Sequence, residues 1–199
     1  MPRPAAVVIL AAGEGKRMRS ALPKVLHQIA GRSLLVHVIE AASALEPEHL
    51  IVVVGHGREQ VIAHVAEFAP WAATVAQTEQ RGTGHALRIA MAEIAGLVGP
   101  IVVLTGDTPL LTRGTLERLL VDHQSAGAQA TVLTARVADP AGYGRVVRDE
   151  SGALARIVEQ RDAEPAELDI DEVNSGMYAF DSGAVSASVD RLTTDNAQQ

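Results

Sequence analysis

The stretch LAAGEGKRMRSALPK, residues 10–24, sets Gly13 and Gly15 directly before the cations Lys16, Arg17 and Arg19, with Lys24 following Pro23. Glycine lets a backbone turn sharply and approach a ligand, and successive free N–H groups can cradle phosphate oxygens. Fixed cations beside them would neutralise a triphosphate. Two better-known phosphate motifs fail on these residues. A P-loop needs glycine where Leu10 stands, and a magnesium-binding Ser or Thr where Arg17 stands. A dinucleotide fingerprint starting at Gly13 needs a third glycine where Met18 stands. Taken alone, the two glycines read better as an ordinary turn with solvated basic residues beside it.

Further polar clusters follow at intervals. In QTEQRGTGH, residues 77–85, Gln77 carries a donor and an acceptor on one amide, which can complement the edge of a pyrimidine. Gly82, Thr83 and Gly84 open a helix there, leaving N–H groups suited to a carbonyl or an anion. An ordinary loop with a Thr cap would use the same residues. Asp107, after Gly106, is a hard oxygen ligand that can hold magnesium against nucleotide phosphates. An isolated Gly-Asp before Pro109 suits an Asx turn instead. Beside the loop at 10–24, the metal reading prevails. The seven histidines form no ligand cluster, and no Ser-His-Asp or Cys-His arrangement is visible.

The elements that would position these residues follow from apolar periodicity. Residues 5–12 form an unbroken apolar run, the mark of a parallel strand buried on both faces. A helix beginning near Ser33 carries Leu35, Val38, Ile39, Ala42 and Leu45 on one face and ends before Pro47. A strand at 50–54 follows, then a helix with Val61, Ile62, Val65 and Phe68 on one face, stopped by Pro70. After a short strand at 74–77, a third helix has Ala86, Ala90 and Ile94 as its stripe, with Leu87 and Met91 beside it. A buried strand at 101–105 precedes a helix faced by Leu116, Leu119, Leu120 and His123. This alternation predicts an α/β fold, a mostly parallel sheet with helices on both faces, and ligands bind beyond the carboxyl ends of such strands.

The pattern changes after Ala130. Strands are expected at 131–137 and 173–180, with hairpin strands at 145–149 and 153–159 and a weak helix after Ser182. This half is α+β and is expected to close over the first half. With no long linker or internal repeat, the chain reads as one domain of two lobes, about 5–128 and 129–199.

The pattern L-A-A-G-x-G-x-R-M followed by P-K resembles that of the sugar-nucleotide pyrophosphorylases. Its continuation PKVLHQIAGRSLL, residues 23–35, is similar to the uridylyltransferase domain of the bacterial bifunctional enzymes that make UDP-N-acetylglucosamine, a peptidoglycan precursor. The similarity runs from about residue 6 to the end of the chain. It implies a Rossmann-like nucleotidyltransferase fold with an α+β sugar lobe. The family's UTP-binding positions fall on Leu10, Ala12, Gly13, Gly15, Lys24, Gln77, Gly82 and Thr83. Arg17 and Lys24 would be the catalytic cations on the phosphates, and Lys16, where relatives have Thr, an added helper. Asp107 would hold Mg2+, while Gly144, Glu159 and Asn174 would contact the sugar. Thr105 replaces an aromatic residue frequent in relatives. The implied reaction is attack of an oxygen of N-acetylglucosamine 1-phosphate on the α-phosphorus of UTP, releasing pyrophosphate. The nucleophile is already anionic, so no general base is needed. Other transferases stay open, with glucose 1-phosphate, dTTP or a molybdopterin as substrate, as does a nucleotide-binding module without catalysis.

Composition sets the outer bounds. The 199 residues suffice for one α/β domain, and 47% hydrophobic residues favour a globular fold over disorder. A net charge of −7 argues against a general nucleic-acid surface, which needs clustered cations. The absence of cysteine excludes disulfides, thiolate metal sites and thiol nucleophiles. No apolar run approaches the roughly 20 residues of a membrane span, and no signal-type segment is seen, so a cytoplasmic protein is expected. The resemblance also implies a later asparagine at the metal, and an acetyltransferase part with hexapeptide repeats through which the parent enzyme oligomerises. Neither occurs in this sequence, so a piece of a longer protein is expected.

Overall fold

The computed structural model describes residues 3–15, 18–94, 96–189 and 191. Its centre is β1 (Ala6–Ala11), apolar throughout because helices cover both sides of it. Val7 and Ile9 face one core, shared with α1 (Leu34–Ser43), α2 (Arg58–Phe68) and α4 (Arg113–Ser125); Ala6 and Val8 face the other, shared with α3 (Gly82–Glu93) and α6 (Ser182–Val189).

Three parallel strands flank β1 in line. β4 (His49–Val54) pairs on one side and β6 (Pro100–Thr105) on the other, with β5 (Ala73–Ala76) beyond β4. The chain thus leaves β1 in one direction and returns to its other side, so a crevice opens at the carboxyl end of β1, where the strand order reverses. The expected parallel sheet is found, with each strand within a residue or two of its expected bounds.

The second half extends this same sheet. β10 (Glu172–Asp181) runs antiparallel to β6 and is paired by β7 (Ala130–Arg136) and by β8 (Arg145–Arg148), which forms a hairpin with β9 (Leu154–Val158). Small elements without a periodic signal complete the described residues: a 3-10 turn at Lys24–Leu26, a ribbon of β2 (Gln28–Ile29) and β3 (Arg32–Ser33), and α5 (Pro165–Leu168).

Most expected helix faces are buried as read, and Ser33 caps α1 by accepting a bond from the Val36 N–H. One face needs correction. In α2, Val61 and Val65 are buried, but Ile62 is 37% and Phe68 49% exposed. The helix buries only a narrow stripe against β4 and β5, and Phe68 packs instead on the His64 ring, with centroids 4.6 Å apart. A second correction concerns β10, expected as a continuous strand. Asn174 pairs with Thr134 but Met177 pairs with Leu133, so Ser175 and Gly176 bulge out of the ladder.

The second half is held by a buried carboxylate. Glu172 accepts from Nε and Nη2 of Arg148, at 2.9 and 2.6 Å, and from the Thr134 hydroxyl at 2.8 Å. The Arg148 hydrogen bonds outweigh desolvation and pull its pKa from 4.5 down to about 2. A carboxylate with a depressed folded pKa stabilises fully above its unfolded value and loses that contribution as pH falls toward the folded one. Thermal denaturation is therefore expected to show a loss of stability between pH 4.5 and 2 that Glu172→Gln removes, the variant being less stable at pH 7. A variant with an unchanged pH profile would show that the network carries no such coupling.

Candidate active site

The loop after β1 is bounded by its own ends. Gly15 has φ +64°, and a Cβ built on it would lie 2.7 Å from the Cβ of Lys24, so only glycine lets the loop fold back on the residue that closes it. Lys24 begins the 3-10 turn behind buried Pro23. Its Nζ donates to the carboxylate of Asp107, and both side chains are about two-thirds buried. Asp107 arrives there because the Gly106 N–H bonds the Leu10 carbonyl at 2.9 Å, tying the end of β6 to the end of β1. Gly13 and Gly15, Lys24 and Asp107 thus meet at the strand-order reversal. Leu10 is half-buried and Ala12 buried beneath them. Lys16 and Arg17 lie outside the described residues, as do the last residues, 192–199.

Among the described residues no three carboxylates or histidines gather into a metal-holding group. Asp107 contributes one carboxylate, in contact with the cation Lys24. That donor set suits magnesium, which is commonly held by one or two carboxylates with substrate phosphates and waters as its other ligands.

The loops after β4 and β5 enclose an open cavity of about 480 Å³ whose wall includes Gly55, Arg58, Gln77 and Gln80. Gln77 is buried just beyond β5, its N–H bonding the Val54 carbonyl. Its Nε2 donates to the Gly82 carbonyl at 3.1 Å, which fixes the orientation of the amide, since a carbonyl can only accept. His85 Nδ1, 2.9 Å from the Glu79 carbonyl, must carry a proton and donate there. Its 3.2 Å approach to Gln77 Nε2 therefore sets donor against donor and is not a bond. The free end of Gln77 is its carbonyl oxygen, an acceptor. Gly82 is the first residue of α3 and Thr83 the second, both exposed. The preceding Arg81 makes no side-chain cap, so Thr83 is not a capping residue as an ordinary-loop reading would have it.

Gly144, Glu159 and Asn174 come together from three segments. The Asn174 N–H donates to the Gly144 carbonyl at 2.9 Å, and a Cβ on Gly144 would lie 3.2 Å from a carboxylate oxygen of Glu159. This cluster reaches the first one through Thr105, whose methyl lies 3.3 Å from where a Cβ on Gly176 would stand. Thr105, for which the sequence offered no reading, is thus the seam between the strand carrying Asp107 and the bulge carrying Asn174.

Several residues escaped the sequence reading. Gln80 donates to the Ala12 carbonyl at 3.1 Å and braces the glycine loop from the α3 side. Tyr178 donates to the Asn174 side chain at 3.0 Å. Only Gly176 inside an apolar strand could have signalled the bulge behind that contact.

Comparison with known proteins agrees with this architecture. A crystal structure of HddC from Yersinia pseudotuberculosis superposes with a TM-score of 0.72 at 22% identity, over 92% of this chain and 79% of that one, which establishes the fold. The chain is 55% identical over 198 residues to the Bifunctional protein GlmU of Streptomyces avermitilis and 54% identical over 200 residues to that of Thermobifida fusca. Each match covers 98% of this chain and 41% of the relative, so the chain spans about two-fifths of their length. The model of the MobA-like NTP transferase domain matches residues 7–166, and the chain belongs to that family.

Proposed function

We propose that this chain transfers a uridylyl group from UTP to N-acetylglucosamine 1-phosphate, the nucleotide lying on residues of the 5–128 lobe and the sugar on those of the 129–199 lobe. The observation that carries this reading is the meeting of the glycine loop, Lys24 and Asp107 at one strand-order reversal. There the loop N–H groups of Gly13 and Gly15 would cradle phosphates, and Lys24, exchanging its carboxylate partner for phosphate oxygens, would neutralise them with Arg17. Asp107, released from Lys24, would hold Mg2+, which supplies charge neutralisation between the two anions and on the departing pyrophosphate. The attacking phosphate oxygen needs no deprotonation, so the protein's task is alignment and charge stabilisation.

Gln77 supports uracil as the base. Its carbonyl oxygen, unpartnered among the described residues, would accept the N3–H of uracil, whereas cytosine has an acceptor at that position and would be repelled. The amides at Gly82 and Thr83 would face a base carbonyl.

Pyrophosphate release with Mg2+ and N-acetylglucosamine 1-phosphate, compared between UTP and CTP, tests the reading. UTP is expected to be favoured by at least about tenfold, the scale of one hydrogen bond replaced by an unpaired polar contact. Equal use of CTP would overturn the base assignment. UTP binding without any release would leave a nucleotide-binding module.

A further inference from the structure

Asn174 contacts a sugar in the reading above, and the following rests on that reading. Its side chain could present either a donor or an acceptor, and the fold decides which. The Gly176 N–H lies 2.9 Å from Asn174 Oδ1. A backbone N–H can only donate, so the end it meets is the oxygen. The Tyr178 hydroxyl, 3.0 Å from the same atom, must then donate as well. Both lone-pair directions of Oδ1 are occupied, while Nδ2, with two donors, has no partner among the described residues.

The bulge in β10 is what lets Tyr178 reach. Four residues along an unbroken strand span about 13 Å, too far for a phenol to contact its neighbour. Here Asn174 is opposite Thr134 and Tyr178 opposite Val132, so Ser175 and Gly176 are folded out of the ladder. The two positions then lie only two partner steps apart, about 7 Å, on the same face. The bulged segment is itself satisfied: Ser175 Oγ donates to the Leu133 carbonyl at 2.6 Å and accepts from the Met177 N–H. Gly176 has φ +76°, which other residues rarely adopt. Tyr178 is kept in place by stacking on Phe180, with centroids 5.4 Å apart. Burial and the nearby Glu159 carboxylate keep its proton bound.

We infer that Tyr178 is a positioning residue for sugar recognition: with the Ser175–Gly176 bulge it locks Asn174 as a pure donor. The locked amide reads an oxygen bearing a free lone pair, a hydroxyl or an acyl carbonyl, while Glu159 beside it offers only acceptors. Without the Tyr178 hydroxyl, Asn174 Oδ1 keeps one partner and the amide turns more freely, so its donor is presented less often.

Titration calorimetry of UDP and UDP-N-acetylglucosamine on the chain and on Tyr178→Phe tests this. Phenylalanine keeps the ring stack and removes only the hydroxyl. The wild type is expected to bind the UDP-sugar more tightly than UDP, and the variant to lose about fivefold to tenfold for the UDP-sugar alone. Equal loss for both ligands means a merely structural tyrosine and overturns the inference, as does no loss. A wild type that gains nothing from the sugar overturns the sugar reading of Asn174 itself, a separate outcome. Should the variant not fold, the side-chain amide resonances of Asn174 in the wild type decide. They are expected to shift with UDP-N-acetylglucosamine and not with UDP, and identical shifts overturn the inference.

Discussion

Replacing Asp107 with alanine is expected to lower uridylyl transfer by about a hundredfold to a thousandfold while leaving the fold nearly unchanged. The two effects separate because of where the carboxylate sits. Its contact with Lys24 is partly solvent-exposed, and ion pairs in such settings contribute about 0.2–1 kcal/mol. Thermal denaturation should therefore barely move. Turnover should fall because the described residues hold no group of three or more carboxylates or histidines that could bind a cation in its place. The alternative is that Asp107 serves only to restrain Lys24. Its removal would then free the lysine for phosphate, so UTP binding would strengthen and turnover would persist. Steady-state pyrophosphate release across a magnesium titration distinguishes the two. Full activity with unchanged magnesium dependence would exclude Asp107 as a metal ligand.

The ion pair also shows where sequence reading reached its limit. The strand ends were legible because the apolar runs of β1, β4 and β6 are continuous and stop at Gly or Thr-Gly-Asp, and this places Gly13 and Asp107 at one edge. That Lys24 would rest on Asp107 was not legible, since the contact joins residues 83 apart and depends on the loop folding back at Gly15. The amphipathic stripe of α2 misled because periodicity reports apolar residues, not the width of the surface they meet. Ile62 and Phe68 lie on the stripe and beyond the edge of the core. The bulge at Ser175 and Gly176 left no periodic trace, because two extra residues restore the alternation of β10 on the far side. Gln77, Gly82 and Thr83 could be singled out because they lie in the stretch that follows β5 and match positions of the resembled family. Which face of the amide is free follows only from the Gly82 carbonyl and the His85 tautomer.

A second large effect is expected far from any charge, from Gly55→Ala. Gly55 follows β4, and a Cβ there would stand 2.7 Å from the Ala12 carbonyl oxygen and 2.8 Å from the Ala12 Cβ. Neither atom belongs to a flexible side chain, so the methyl must displace the backbone where β1 becomes the glycine loop. That carbonyl is already held from two sides, by the His56 N–H at 3.2 Å and by Gln80 Nε2 at 3.1 Å. Shifting it strains both bonds and moves Gly13 and Gly15 relative to Lys24. Overpacking of this kind costs about 1–3 kcal/mol, or a fall in Tm of about 3–10 °C for a chain of this size. The displaced loop should also weaken UTP binding by at least about tenfold, since cradling amides act only at hydrogen-bond distance. Gly114→Ala supplies the contrast. Gly114 lies in the first turn of α4 with nothing within 4 Å of an added Cβ. Alanine there should stabilise by up to about 1 kcal/mol, because it lowers the entropy of the unfolded chain without a clash. Denaturation curves and UTP titrations of both variants check the argument. If Gly55→Ala keeps the wild-type Tm and affinity, the close approach between Gly55 and Ala12 does not hold the loop, and its conformation must be fixed by residues 13–24 alone.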